Sequence, residues 1–268
     1  MTTIAAAATA RIPRSTVKPI PLIRITAVEL RKMLDTRSGF WLLASIGITA
    51  VLATGAVILW APNNELTYST FVSAIGTPMA VTLPLVAILS VTGEWSQRSG
   101  LTTFTLIPHR HRIITAKAIS SVLVGAVSVL LAFAVGALGN LLNSAVSSAT
   151  PVWDVSLTEF SYFLLGSVLG LLIGFMLGIL IRASSGAIAA YFVYSFLLPT
   201  VFIVLATNQS WFKDVQPWID VTFAQGTLFA FDGALTGEQW ANIAVTGVIW
   251  MVVPLAVGLG FVTRAEVK

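Results

Sequence analysis

Residues 39–60, GFWLLASIGITAVLATGAVILW, contain no charged side chain and are apolar on every face. A helix needs about 20 apolar residues to cross the hydrocarbon core of a bilayer. Strands of a membrane barrel would instead alternate apolar and polar side chains in segments of about 10 residues. This stretch therefore predicts a membrane-spanning α-helix.

The composition extends that prediction to the whole chain. Of 268 residues, 56% are hydrophobic and 10% are charged, whereas a soluble domain carries about 25% charged residues. The mean hydropathy is +0.90, so the polar side chains needed to cover a globule in water are too few. We predict an all-α integral membrane protein: a disordered cytoplasmic tail over 1–21, then one six-helix domain over 22–268. The predicted spans are residues 40–60, 71–92, 115–141, 160–181, 187–207 and 241–262.

Basic residues predict the orientation, because Lys and Arg concentrate in cytoplasmic loops. Fourteen of the fifteen fall on one side of the predicted topology, and only Lys213 falls on the other. Both termini lie on the basic side, so we expect them in the cytoplasm and the protein in the plasma or inner membrane. The pI near 9.7 then reflects topology, and a role in nucleic-acid binding is not indicated.

Residues 22–37, LIRITAVELRKMLDTR, have the periodicity of an amphipathic helix. One arc holds Leu22, Ile23, Ala27, Leu30, Met33 and Leu34, and the other holds Arg24, Arg31, Lys32 and Asp35. We expect this helix to lie in the cytoplasmic membrane interface before the first span. Packing against another protein is an open alternative, and both can hold together.

Glycines and prolines interrupt the predicted spans. Gly166, Gly170, Gly174 and Gly178 recur every four residues, which makes a groove for close helix packing. Packing within one chain is the favoured interpretation, and a dimer contact is the alternative. Pro84, Pro199 and Pro254 lie inside spans and are expected to kink them.

The segment 208–240 is predicted to be external and is rich in aromatic residues. Such a segment would be poorly solvated if it extended freely into water. We expect short helices that return to the interface or cap the bundle. Aromatic anchoring at headgroup depth would explain the same composition without a functional role.

Motifs for catalysis or nucleotide binding are missing from the sequence. It has no cysteine, no Walker phosphate-binding loop, and only two histidines, His109 and His111, set among arginines where cations oppose metal binding. We expect no enzyme activity, no metal and no bound cofactor. The central thirds of the spans carry no ionisable residue, which disfavours ion-coupled transport. The charges of Glu94, Lys117, Glu159 and Arg182 fall at span ends, where we expect them to reach water.

A polar segment, GEWSQRSGLTTFTLIPHR at residues 93–110, separates the second and third predicted spans. Glu94, Arg98, Gly100, Leu101, Thr102, Phe104, Leu106, Pro108, Arg110, Arg112 and the pair Ala116-Lys117 form its spaced series. This series resembles the cytoplasmic loop of the ABC-2 type permeases, the membrane subunits of type-2 ATP-binding-cassette exporters. In that family, a Glu-led short helix precedes a Gly-Thr pair, a Leu-x-x-Pro step and an Ala-Lys pair. Gly100-Leu101-Thr102 departs slightly from the Gly-Thr pair.

The resemblance implies a permease subunit that pairs with a second subunit, expected to be another copy, and with separate ATPases that bind ATP and Mg²⁺. Residues 93–114 would be the loop that couples to the ATPase, and spans two and five would face the substrate pathway. The implied coupling residues are Glu94, Arg98, Gly100, Thr102, Phe104, Pro108 and Arg31. The implied pathway residues are Thr77, Thr82, Tyr191, Tyr194 and Phe196. The cargo would be an amphiphilic drug, peptide or lipid-like molecule.

For Glu94, an ion pair with Arg98, four residues later on a helix, is one possible role. An ion pair with a basic group of the ATPase or of the pre-span helix is a second possible role. The third is that Glu94 is an ordinary carboxylate at a helix end. For the whole protein, the alternatives are a non-transporting immunity, sensory or assembly subunit and a lipid-modifying membrane enzyme. The enzyme is disfavoured because no intramembrane acid–base or metal cluster is present.

Overall fold

The computed structural model describes residues 20–96, 110–147 and 150–264, and these ranges contain helices and no strand. The first five helices are α1 (Leu22–Asp35), α2 (Arg37–Trp60), α3 (Tyr68–Ser96), α4 (Arg110–Ser147) and α5 (Leu157–Ile181). They are followed by α6 (Ser184–Asn208), α7 (Ser210–Ile219), α8 (Val221–Gly226) and α9 (Gly237–Arg264). Most of the predicted tail at 1–21 lies outside the described residues.

The six predicted spans are confirmed as helices long and apolar enough to cross a membrane: α2, α3, α4, α5, α6 and α9. The main difference is the length of α4, which has 38 residues. At 1.5 Å per residue it is about 57 Å long, against a hydrocarbon core of about 30 Å. Helix α4 therefore continues well past the predicted range of 115–141.

Helix α3 is the centre of the bundle, because it packs against α2, α4, α5 and α6. Its residues Phe71, Val72, Ile75, Met79 and Leu83 are almost completely buried. They recur at intervals of three and four, which is the spacing of one helix face. This buried face holds the neighbouring spans around α3.

The glycine series of α5 packs within the chain, as favoured from the sequence. A Cβ on Gly174 would lie 2.7 Å from the Cα of Pro84, and one on Gly178 would lie 3.1 Å from Val91. Both partners belong to α3, so these glycines let the two backbones approach closely. Gly166 lies against the Phe229 ring, whereas a Cβ on Gly170 would meet nothing within 4 Å.

Two of the prolines follow π-helical turns. Val193–Leu197 in α6 precedes Pro199, and Val248–Val252 in α9 precedes Pro254. A proline ring collides with the carbonyl four residues before it, which belongs to Ser195 in the first case. The wider π turn moves that carbonyl aside, so the helix continues through the proline. Pro84 lies within the continuous α-helix α3.

The segment between α6 and α9 folds into the expected short helices, α7 and α8, and re-enters the bundle. The Trp250 indole N–H donates to the Ile219 carbonyl at 2.7 Å. Trp250 lies near the middle of α9, so the junction of α7 and α8 reaches about half the depth of that span. Beyond α8, the Phe229 ring packs edge-on against Phe163 of α5 at 5.1 Å. We call α7, α8 and the turn to Phe229 the re-entrant segment.

Two predictions about charged residues are corrected by the fold. Lys117 and Glu159 do not extend to water: Lys117 is 6% exposed, and the buried Glu159 is bonded to Ser156 in a capping box that begins α5. The prediction that the central thirds of the spans carry no ionisable residue is not affected, but a residue outside the spans brings a carboxyl group to that depth. The re-entrant segment brings Asp220, which is 2% exposed, to the level of Trp250.

The buried face of α1 also differs from the predicted apolar arc. Ile25, Thr26, Glu29 and Met33 are buried, whereas Ile23 and Leu34 are exposed. The reason is that α1 packs against α4 through polar partners, which a hydrophobic pattern does not reveal. An apolar stripe that includes Ile23 and Leu34 thus remains on the surface of the chain.

Candidate functional site

The residues of the predicted coupling surface lie mostly outside the described part of the chain. Arg98, Gly100, Thr102, Phe104 and Pro108 fall in the undescribed range 97–109. Glu94 belongs to the last turn of α3, but its side chain and its predicted pairing with Arg98 also fall outside the description. Arg31 is an exposed residue of α1.

A buried ion pair joins α4, the helix that follows this segment, to α1. The Lys117 ammonium of α4 lies 2.6 Å from Oε2 of Glu29 in α1, and Lys32 lies 2.7 Å from Oε1 of the same carboxylate. Lys117 also donates to the Ser90 carbonyl of α3 at 2.9 Å. Three helices therefore meet at one ammonium group.

Burial and charge act in opposite directions on Glu29. Burial would raise the pKa of this carboxyl group, but the ammonium groups of Lys117 and Lys32 outweigh that effect and hold the pKa below its ordinary value. Glu29 is therefore ionised at neutral pH, and its two oxygens each have a cationic partner.

Further polar contacts extend this cluster across the same end of the bundle. The Ser120 hydroxyl of α4 donates to the Thr26 carbonyl of α1 at 3.1 Å. The hydroxyls of Thr92 in α3 and Ser184 in α6 lie 2.8 Å apart. We call this group of contacts around Glu29 and Lys117 the polar cluster. It links α1, α3, α4 and α6 beside the start of segment 97–109.

A cavity of about 560 Å³ lies between α3, α5, α6 and the re-entrant segment. Its exposed lining residues Ser73, Thr77 and Ala80 follow one edge of α3, and Phe196 of α6 is half exposed. The cavity therefore opens on the side of the bundle, along α3 and α6. The lateral opening would face lipid or another subunit in a membrane.

Four of the five predicted pathway residues line this one cavity: Thr77, Tyr191, Tyr194 and Phe196. Thr82 does not line it, and the Thr82 hydroxyl donates to the Pro78 carbonyl within α3. The sequence did not indicate that Gly170 and the re-entrant residues Thr222, Gln225 and Phe229 would complete the wall. The aromatic composition of 208–240 was the one available signal for the re-entrant part.

The cavity combines apolar side chains with hydroxyl and amide groups. The Tyr191 hydroxyl donates to the Ala80 carbonyl at 2.7 Å, and the Thr77 hydroxyl donates to the Ser73 carbonyl at 3.1 Å. The Tyr194 hydroxyl is buried and has no hydrogen-bond partner. Tyr194 and Phe196 both belong to the π-helical turn of α6, a type of turn that is frequent at functional sites.

A metal centre has no basis in the part of the chain that the structure describes. No three His, Asp or Glu side chains come together there in an arrangement that could hold an ion. The residues that line the cavity offer a ligand apolar contacts and neutral hydrogen bonds.

Comparison with known proteins adds no family assignment. No protein-family model matches the chain, and no curated protein matches it at a significant level. Its class as a helical protein with six candidate membrane spans therefore stands on composition and fold alone.

Proposed function

We propose that this chain is the transmembrane permease subunit of an ATP-driven ABC exporter. It pairs with a second permease subunit, a copy of itself, and with ATPase subunits that bind ATP and Mg²⁺. It exports an amphiphilic molecule by alternating access and has no catalytic activity of its own. The pairing and the direction of transport follow from the resemblance of residues 93–117 to the ABC-2 permeases.

The proposal is supported chiefly by the course of α3, which connects the cavity to the resembling segment. The helix lines the lateral cavity with Ser73, Thr77 and Leu83 and ends at Ser96, where the resembling segment continues. A force applied to that segment would act along α3 on one wall of the cavity. This is the mechanical connection that a permease driven by an external ATPase requires.

The polar cluster supports the same mechanism. A loop can transmit a push only if the helices beside it move together. The Glu29–Lys117 ion pair joins α1 to α4, and the bond from Lys117 to the Ser90 carbonyl adds α3. Residues 93–114 would therefore act on an end of the bundle where α1, α3 and α4 are held together. Arg31 is exposed on α1 and would be free to contact the ATPase.

The exposed apolar stripe of α1 fits this arrangement. Ile23 is 80% exposed and Leu34 is 54% exposed, although their helix is otherwise packed on α4. In the proposed plasma-membrane location, with both termini cytoplasmic, this stripe would rest in the membrane interface. The basic residues Arg24 and Arg31 would then face the cytoplasm or the anionic headgroups.

Co-purification tests the assignment directly. The tagged chain is isolated from its native membrane in mild detergent, and bound proteins are identified by mass spectrometry. We expect an ATPase with a Walker phosphate-binding loop, and its rate of ATP hydrolysis should change when the complex is reconstituted in lipid. If the chain retains no ATPase, or leaves its turnover unaltered, the permease function is wrong and a non-transporting immunity, sensory or assembly subunit takes its place.

Glu94→Ala tests the coupling role within that complex. We expect normal insertion and normal ATPase binding, with export per ATP hydrolysed lowered several-fold, because a contact through which the ATPase would act on the end of α3 is removed. Glu65→Ala is the matched control, since Glu65 is an exposed carboxylate just before the other end of α3 and should have no effect. Wild-type export by the Glu94→Ala variant would remove Glu94 from the mechanism.

A further inference from the structure

The lateral cavity is lined by polar side chains that carry no charge. Its polar lining residues are Ser73, Thr77, Ser167, Ser195, Thr222 and Gln225, together with the two tyrosines. No Asp, Glu, Lys, Arg or His is among the described residues that line it. The apolar part of the wall includes the rings of Phe163 and Phe229.

The buried carboxylate nearest in sequence to this wall is not available to a ligand. Asp220 does not line the cavity. Its Oδ1 accepts the backbone N–H groups of Thr222 and Phe223, and its Oδ2 accepts the Gln216 amide at 3.0 Å. Asp220 therefore begins α8 and stabilises the re-entrant segment, and no charged side chain is among the described residues that line the cavity.

A charged ligand would be poorly accommodated there. Burying a charge costs much more than burying a hydrogen-bonded neutral group unless an opposite charge is present. The aromatic rings could attract a cation, but contact with a ring face recovers only part of the lost hydration. The hydroxyls can instead bond a neutral polar group, and their oxygens accept protons even where their own protons are donated, as in Thr77.

We propose that the cavity binds an uncharged amphiphile with a hydroxyl- or carbonyl-bearing head and an apolar body. This inference rests on the proposed function and specifies its cargo, excluding cationic drugs and charged peptides from this site. The volume of about 560 Å³ is within the range of pockets for drug-sized ligands. The lateral opening lets such a molecule enter from the bilayer, where uncharged amphiphiles dissolve.

Gly170 is a position at which a larger side chain can be added to the cavity wall. It lines the cavity, and a Cβ at this position would have open space around it. Gly47 of α2 is also a span glycine with open space around a Cβ, but it does not line the cavity. Gly170→Leu and Gly47→Leu are therefore matched variants that differ in whether the added side chain occupies the proposed site.

The test uses the purified chain in lipid nanodiscs and three probes with the same twelve-carbon chain. These are monolauroylglycerol, dodecyltrimethylammonium and laurate, which are neutral, cationic and anionic. Radiolabelled monolauroylglycerol should bind saturably, and the two charged probes should compete at least tenfold more weakly. Gly170→Leu should lose at least tenfold in affinity for the neutral probe, whereas Gly47→Leu should bind as the wild type does.

A second arm distinguishes the sources of such a ligand. Competition by dioleoylglycerol would assign the site to a neutral membrane lipid, and failure to compete would assign it to a smaller molecule. Equal or tighter binding of either charged probe overturns the proposal, as does undiminished binding to a folded Gly170→Leu variant or no saturable binding of monolauroylglycerol. Because no ATPase is present, these results are independent of co-purification: a permease with a different cargo would fail here and still retain its ATPase.

Discussion

At the scale of single residues, the polar cluster shows how a charge is kept inside a membrane protein. Lys117 would be costly to bury alone, but Glu29 supplies an opposite charge at 2.6 Å and the Ser90 carbonyl accepts another of its protons. The partners are separated by 88 positions in the chain. Hydropathy places Lys117 near a span end and cannot identify a partner so distant in sequence.

Glu29→Gln should therefore destabilise the fold. Removing one partner of a buried ion pair costs about 3–5 kcal/mol, because the other charge remains buried without compensation. Thermal unfolding followed by tryptophan fluorescence should show a large fall in the midpoint, and the double variant Glu29→Gln/Lys117→Met should recover much of it. Asp35→Asn, which changes an exposed carboxylate of the same helix, should alter stability by less than about 0.5 kcal/mol.

The same pair predicts a dependence on pH. Because the folded state holds the pKa of Glu29 below the ordinary value of 4.5, the ionised carboxylate contributes stability that is fully present above that value. The contribution is lost as the pH falls from 4.5 through the lowered pKa. The difference in unfolding midpoint between wild type and Glu29→Gln should thus be constant over roughly pH 6 to 8, which is far above that pKa, and shrink in acid. A constant difference down to the acid limit of folding would exclude Glu29 ionisation as its cause.

At the scale of elements, α5 is a helix whose glycines have two different roles. Gly174 and Gly178 allow contact with α3. Gly170 instead lines the cavity and leaves empty space beside it. The regular spacing of the series predicted a groove for close packing. Which glycine contacts a backbone and which one borders empty space depends on the course of Pro84 and its neighbours in α3.

Alanine substitutions should separate these two roles. In Gly174→Ala the new methyl group would collide with the backbone of Pro84, and such overpacking costs about 1–3 kcal/mol. Gly170→Ala meets no atom within 4 Å and should be neutral or stabilising by about 0.5–1 kcal/mol, since alanine favours the helix. Thermal unfolding in detergent measures both, and equal midpoints would contradict the close contact between α3 and α5.

At the scale of the whole molecule, the bundle has two chemically different ends. The polar cluster, which includes the Thr92–Ser184 contact, lies at one end. At the other, Ser69 at the start of α3 donates to Asp154 before α5 at 2.8 Å. Between the two ends, α3 passes the lateral cavity. The proposed function requires that the first end be cytoplasmic.

Cysteine labelling tests this orientation, because the natural sequence contains no cysteine. Ser185 lies near the polar-cluster end and Asp232 follows the re-entrant segment, and both are exposed. A membrane-impermeant maleimide added to intact cells should label Asp232→Cys and leave Ser185→Cys unlabelled until the membrane is opened. The reverse pattern would invert the topology and place segment 93–114 out of reach of a cytoplasmic ATPase.

The sequence by itself determined the fold class and the positions of the six spans. Each span must be apolar along its own length to be stable in hydrocarbon, so the information is local and hydropathy suffices to find it. The short helices within 208–240 were likewise expected from a composition too aromatic for a free loop.

Only the tertiary structure decided where the charges and the empty space lie. The Glu29–Lys117 pair, the depth reached by Asp220, the buried face of α1 and the cavity beside Gly170 all depend on contacts between residues far apart in sequence. Four predicted pathway residues share one wall for the same reason, since α3 and α6 are brought together by the packing of α5 and the re-entrant segment. Such contacts are properties of how the helices assemble, and no single helix encodes them.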